Sequence, residues 1–418
     1  MEPTLTQLKN SLRVVLVPCE AESVAFGLFV ASGSRHEPER FGGISHFIEH
    51  MLFKGTPKRT ALEITQAIEG RGGMCNACTS EESTSYFVHL PSEYLSEAVD
   101  ILADMYLNAS IDEEEFERER DVIIEEIKMY EDEPDSLASE KLQAGLFPSH
   151  PLGRPVAGTA ETLRAMRPED MHEYMRSHYT PDATVAVLAG AFDSGEALGM
   201  VEAAFSGAAR GRSRGGAGRK RGWRSGTAPS RPPVPDVRNF RDVQQAQLAL
   251  GFRTFGVRDE RKYAAAVLDA VLGRGMSSRL FQEIREKRGL SYDISSRWQM
   301  FEDTGMFTIS AGLDPSKAEE ALDVIQGELR KVATAKVGED ELARTKEFLT
   351  GNFRLSHEKV LSKMIYHGAM TLTYGRLVPT AEQVAGIRAV TAGDVLSVAR
   401  DVFVSSKRTV SWVLPKAK

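Results

Sequence analysis

Two histidines and a glutamate share a five-residue run, His46-Phe47-Ile48-Glu49-His50. On a helix, positions i, i+3 and i+4 lie on one face. Both imidazoles can then reach a single point, with Glu49 between them. That is two ligands of a zinc ion, which takes about four and, in a catalytic site, leaves one position to water. A carboxylate beside that water can take its proton. The order H-x-x-E-H mirrors the better-known H-E-x-x-H of zinc hydrolases. Such a spacing also arises by chance in helices, so the reading depends on the flanks and on a third protein ligand. The flanks agree. Gly42-Gly43 leads in, the apolar Met51-Leu52-Phe53 follows, and Gly55 closes the periodic stretch as a helix C-cap does.

The charged stretch 112–131 offers a third ligand. Its apolar residues Phe116, Ile123, Ile127 and Tyr130 recur at helical spacing. Glu119 and Glu126 stand seven residues apart, two turns along one face, and a carboxylate there can complete the set. The same pattern also fits a solvated acidic helix laced with pairs to Arg118, Arg120 and Lys128.

The elements that must position these residues are legible nearby. Residues 12–18 and 24–32 read as strands, 33–38 as a loop, and 61–69 as a helix after the motif helix. Gly72-Gly73 breaks the chain, and 74–79 with 83–91 form a further strand pair. Residues 92–108 are an amphipathic helix. From 136 to 205 the pattern is mainly helical, interrupted by an apolar strand at 183–190. Cys75 and Cys78 lie three apart in a strand and so point to opposite faces, which makes the C-x-x-C spacing incidental.

Residues 207–235 change character and are rich in Gly, Arg, Ser and Pro, the composition of a linker. The pattern then restarts. Strands are expected at 246–252, 291–298, 306–313 and 410–414, and helices at 259–272, 276–287, 316–335 and 339–352. The second half thus repeats the order of the first, with a helix at 263–272 where the motif stood but no histidine pair. The expected fold is α+β: two structurally related domains from an internal duplication, each a mostly antiparallel sheet with helices. The domains are residues 1–206, bearing the metal site, and 236–418, without one.

At 418 residues the chain suits two domains of about 200. Lys and Arg number 52 against 59 Asp and Glu, a net charge of −7, which disfavours a nucleic-acid partner. An RNA-associated role resting on the basic linker is the rival, and only Trp223 there offers a ring for a base. No apolar run approaches the roughly 20 residues of a membrane span, so no membrane partner is expected. Three cysteines make no disulfide framework, and no leader pattern opens the chain; the expectation is cytoplasmic.

These residues resemble the inverzincin zinc metallopeptidases of the pitrilysin, insulysin and mitochondrial processing peptidase type. Three places carry the likeness. The stretch 33–56 is similar to the family signature: Gly33, a nine-residue spacer, Gly43, then x-Ser-H-x-x-E-H and Gly55-Thr56. The family's third zinc ligand is a glutamate 76 positions beyond the second histidine, which is Glu126 here, and Glu119 matches its supporting carboxylate. Arg285-Glu-Lys-Arg-Gly-Leu-Ser-Tyr292 is similar to an arginine–tyrosine pair that binds substrate and stabilises the reacting carbonyl.

The resemblance implies a zinc endopeptidase or oligopeptidase, with one Zn2+ per chain held by His46, His50 and Glu126. Zinc-activated water is then the nucleophile and Glu49 the general base. It implies peptide substrates added as a strand along 73–79, at Asn76 and Ala77. The chain length matches the short branch of the family, in which two subunits close as a clamshell and Arg285 and Tyr292 reach the other subunit's zinc. A homodimer is the simplest arrangement. The alternatives are a heterodimer with an inactive homologue and a non-catalytic structural subunit of the same fold. The acidic 112–135 stretch points to basic peptides as substrates.

Overall fold

The computed structural model describes residues 2–208 and 229–416; most of the 207–235 stretch read as a linker lies outside them. In chain order the first half forms strands β1 (Thr4–Gln7), β2 (Arg13–Pro18) and β3 (Ser23–Val30), helices α1 (Ile44–Met51) and α2 (Ala61–Glu69), hairpin strands β4 (Met74–Thr79) and β5 (Thr84–Pro91), and helix α3 (Leu95–Asn108). Helices α4 (Glu113–Asp132), α5 (Pro134–Leu146), α6 (Ala160–Ala165) and α7 (Pro168–His178), strand β6 (Thr184–Gly190) and helix α8 (Ser194–Ala204) complete it. The second half forms β7 (Asp236–Arg241), β8 (Ala246–Thr254), α9 (Lys262–Gly273), β9 (Ser291–Met300), β10 (Gly305–Leu313), α10 (Ala318–Thr334), α11 (Glu339–Ser356), α12 (Val360–Tyr374), α13 (Thr380–Ala389), α14 (Ala392–Val402) and β11 (Arg408–Pro415).

The strands make two sheets, ordered β1-β2-β6-β3-β5-β4 and β7-β11-β8-β10-β9. Without β1 the orders are the same once β2, β3, β4, β5 and β6 are matched to β7, β8, β9, β10 and β11. In each sheet one pair is parallel, β2 with β6 and β7 with β11, and the remaining pairs are antiparallel. The duplication is therefore present in the topology. The strands β1 and β7, which the sequence pattern did not announce, are outermost. An edge strand exposes much of its surface and needs little apolar patterning, as the half-exposed Asp236–Arg241 shows. Residues 276–278 are not helical as expected: a turn from Gly275 to Ser278 precedes the helix, whose Phe281–Glu286 stretch is a π-helical turn.

The expected division at 206/236 needs correcting. Among the described residues the first compact unit takes 2–127, 154–208 and 354–378, and the second takes 128–153, 229–353 and 379–416. Each unit borrows a helix from the other half of the sequence. Helix α12 covers the second face of the first sheet, where Val15, Val17, Ala25, Phe29, Val185 and Val187 meet Val360 and Met364. Helix α5 covers the second sheet, where Leu137, Leu142 and Leu146 meet Ala249 and Val413. The central strands are thereby buried on both faces, and β6 is buried throughout. Close approach between helix and sheet requires glycine in both units, on the helix in one and on a strand in the other. A Cβ on Gly368 of α12 would stand 2.2 Å from the Phe29 ring, and one on Gly251 of β8 would stand 2.8 Å from Leu146.

The other face of each sheet carries the main core. In the first unit it holds Phe26, Leu28, Ile44, Phe47, Ile48 and Met51 with Phe116, Ile123 and Ile124. In the second, Leu248, Leu250, Val267, Leu268 and Val271 pack with Ile325 and Trp412. Among the described residues no helix is long and apolar enough to cross a membrane.

Candidate metal centre

Helix α1 buries Ile44, Phe47, Ile48 and Met51 and turns His46, Glu49 and His50 away from that core. The Phe47 ring stacks on Phe116 of α4 at 4.6 Å, which ties the two helices that carry the polar residues. The N-terminus of α1 has no side-chain cap of its own. The buried Glu37 carboxylate supplies one from the preceding loop, accepting from the backbone N–H groups of Gly43 and Ser45, each at 2.8 Å. Gly43 has φ 95°, and a Cβ there would stand 2.5 Å from Ala157 O, so only glycine suits the entry to the helix. After the helix, buried Asp104 accepts from Thr56 Oγ1 at 2.8 Å, Arg59 Nη1 at 2.7 Å and Asn108 Nδ2 at 2.9 Å, pinning the trailing turn.

His46, His50 and Glu126 converge, with ligand atoms all within 4.8 Å of one another. Glu126 Oε2 lies 3.5 Å from His50 Nε2 and 3.9 Å from His46 Nε2. Tetrahedral ligands at about 2.1 Å from zinc stand about 3.4 Å apart, and Glu126 lies within about half an ångström of that spacing from each ring. The donor chemistry fits too. His46 is driven down to about 4 by burial and by the neighbouring His50, against the pull of Glu126. Its ring is neutral at physiological pH, as a ligand must be, and its Nδ1 is buried with no hydrogen-bond partner among the described residues.

His50 is placed differently. Its Nδ1 lies 3.0 Å from Glu119 Oε2, and Lys54 Nζ lies 2.5 Å from Glu119 Oε1. Burial pulls the His50 pKa down, but bonds to Glu126 and Glu119 outweigh it and raise the net value. A Lys54–Glu119–His50 relay fixes the ring so that Nδ1–H points at Glu119 and Nε2 faces Glu126. Glu49 receives a hydrogen bond from Thr79 Oγ1 at 2.5 Å. Burial raises its pKa, and the Thr79 bond and the nearby His50 work against that rise.

The remaining residues singled out in the sequence fall in two places. Asn76 and Ala77 lie on β4, the edge strand of the first sheet, with Asn76 exposed and Ala77 half-buried. Cys75 and Cys78 are free thiols on opposite faces of that strand, as the period of two demands. Arg285 and Tyr292 lie together in the second unit. The Arg285 guanidinium sits 4.4 Å from the Tyr292 ring centroid and 4.8 Å from that of Phe281. Tyr292 is 80% exposed, uncommon for so large a ring.

Sequence reasoning missed Glu37, Lys54 and Thr79. Lys54 sits four residues beyond His50, one turn on, which is a usable signal; Glu37 and Thr79 act across loops, and their spacing carries none.

Residues 13–160 match the family model described as insulinase, peptidase family M16, and residues 165–349 match the M16 inactive domain. An uncharacterized zinc protease of Bacillus subtilis is 36% identical over 396 residues, covering 94% of each chain. Another, of Streptomyces coelicolor, is 37% identical over 401 residues, covering 95% of this chain and 86% of that one. This chain belongs to peptidase family M16.

The solved structures agree on the fold. A protease from Helicobacter pylori superposes with a TM-score of 0.90 at 22% identity, covering 99% of both chains. A peptidase M16 inactive domain from Pseudomonas fluorescens gives 0.87 at 19% identity, covering 100% of this chain and 99% of that one. The M16 relationship makes this a peptidase of that type, with relatives named as zinc proteases.

Proposed function

We propose that this protein is a zinc-dependent endopeptidase or oligopeptidase that hydrolyses unfolded peptides. The convergence of His46, His50 and Glu126 on one point, with Glu49 on the same helix, carries this reading. Those three side chains would hold the ion, and one anionic ligand leaves it a positive centre. Zinc bound there supplies Lewis acidity and brings the pKa of a coordinated water toward about 7. Glu49 takes the proton of the attacking water and returns it to the leaving amine. Its raised pKa suits a group that must accept and release a proton within one cycle.

The free edge of β4 offers its backbone to an extended peptide at Asn76 and Ala77, a mode that demands little of the substrate's sequence. Arg285 and Tyr292 bind substrate and stabilise the developing oxyanion, supplied in trans by the other subunit of a clamshell homodimer. The acidic face of α4, from Glu113 onward, favours basic peptides and disfavours nucleic acid. Retention of Glu49 and all three ligand residues argues against a purely structural subunit. The compartment we assign is the cytoplasm.

The test is hydrolysis of internally quenched peptides by purified protein, with and without a chelator, beside Glu49→Gln. Activity that needs metal and vanishes in the variant is expected; full activity in Glu49→Gln overturns the mechanism. Light scattering on the purified chain separates a homodimer from a monomer that awaits an inactive homologue.

A further inference from the structure

We propose that Thr79 is a positioning residue for Glu49: its hydroxyl holds the base in the orientation from which it acts. This rests on the reading of Glu49 as general base, and it assigns a role to a residue outside the metal motif.

Thr79 is the last residue of β4, and its Oγ1 lies 2.5 Å from Glu49 Oε2. The same oxygen lies 3.4 Å from Thr84 Oγ1. A hydroxyl has one proton to give. Thr84 donates its own to Ser32 O at 2.9 Å, and so makes no claim on the Glu49 carboxylate. The Thr79 proton therefore goes to Glu49, at the shorter distance, in a charge-assisted bond of the strong kind. That hold is specific to Thr and Ser, since it needs a hydroxyl proton.

Glu49 needs such a hold. It sits on the polar face of a helix of only eight residues, with a side chain that is free to turn about several bonds. Its neighbours His46 and His50 are committed to Glu126 and Glu119. The hold also comes from the strand whose outer edge is open to an added peptide, so the surface that receives substrate and the group that orients the base are one rigid element.

The experiment compares Thr79→Val and Thr79→Ser with Glu49→Gln on an internally quenched peptide, with zinc affinity read by chelator competition. Val keeps the β-branched shape and strand propensity and removes only the hydroxyl. We expect kcat to fall about 10- to 100-fold in Thr79→Val, the scale of a misaligned catalytic group. KM and zinc affinity should stay within about twofold of the parent, and Thr79→Ser should recover kcat to within about threefold. The proposal is overturned if Thr79→Val keeps its kcat, if only KM rises, or if Ser is as impaired as Val. Should Val fail to fold, Thr79→Ala is scored by the same comparison. An inert Glu49→Gln beside a fully active Thr79→Val sinks this assignment alone. A fully active Glu49→Gln takes down both the base and its positioning.

Discussion

The two sheets run their strands in the same order, yet among the described residues only the first unit brings two histidines and a carboxylate to one point. The contrast lies in two pairs of matched helices. Helix α1 gives one face to the core and sets His46, Glu49 and His50 on the other; its counterpart α9 buries Ala264, Ala265, Val267, Leu268, Ala270, Val271 and Leu272 and contains no histidine. The one acid in α9, Asp269, is fully buried and satisfied by Arg274 Nε at 2.5 Å and Ser296 Oγ at 2.6 Å. Helix α4 points Glu119 and Glu126 at imidazoles, whereas in α11 Glu341 is closed off by a bidentate bond to Arg279. The histidine–carboxylate set is thus a local edit of a duplicated scaffold: where imidazoles face the carboxylates a cation can be shared, and where guanidinium groups face them the charge is already neutralised.

Substitutions can sharpen that contrast. Glu126→Gln removes the only carboxylate of the converging set and is expected to weaken zinc binding by more than the 10- to 100-fold typical of an outer partner. Glu341→Gln in the second unit should leave zinc affinity unchanged; chelator competition reads both. The exchange of helices predicts a shared weakness instead. Gly368→Val forces a side chain into Phe29 and should cost about 3 kcal/mol, the upper range for overpacking, seen as a lowered urea midpoint. Gly251→Val should do the same to the second sheet through Leu146 and Leu142.

Smaller effects test what surrounds the motif. Lys54→Met removes the ammonium that pairs with Glu119 and should weaken zinc about tenfold while leaving the fold intact. Asp104 tests the pH response. Burial alone would raise its pKa, but bonds from Asn108, Thr56 and Arg59 hold it below the usual carboxylate range. Its contribution to stability is therefore complete above the ordinary value of about 3.9 and is lost as pH falls through the depressed one. Asp104→Asn should lower stability at neutral pH and flatten the loss below about pH 4 in urea titrations.

The sequence made the candidate metal site legible because its residues sit on two regular helices, where spacing fixes direction. His46, His50 and Glu126 could be brought together on paper by period and by family resemblance, and β4 by its alternation. Other features had no such regularity. Glu37 reaches α1 through an irregular loop, and Thr79 meets Glu49 across 30 residues. The strand β1 is four residues long, and β7 is polar and outermost. Helices α12, α13 and α14 lie between 352 and 410, where the sequence analysis expects no element. The exchange of α5 and α12 was illegible in principle, since an apolar stripe states that a helix is covered but not by which half of the chain.

That exchange bears on how the protein is made. A nascent chain that has just completed β6 holds a six-stranded sheet with one apolar face bare, displaying Val15, Val17, Phe29, Val185 and Val187. The cover, α12, begins at Val360 and leaves the ribosome some 170 residues later. For that interval the first unit keeps an apolar face uncovered, the kind of surface that invites chaperone binding or aggregation. A gene cut in the Gly-rich stretch after residue 206 would yield two such orphans, each displaying the face meant for the other's helix, and only simultaneous synthesis of both pieces would restore a folded molecule.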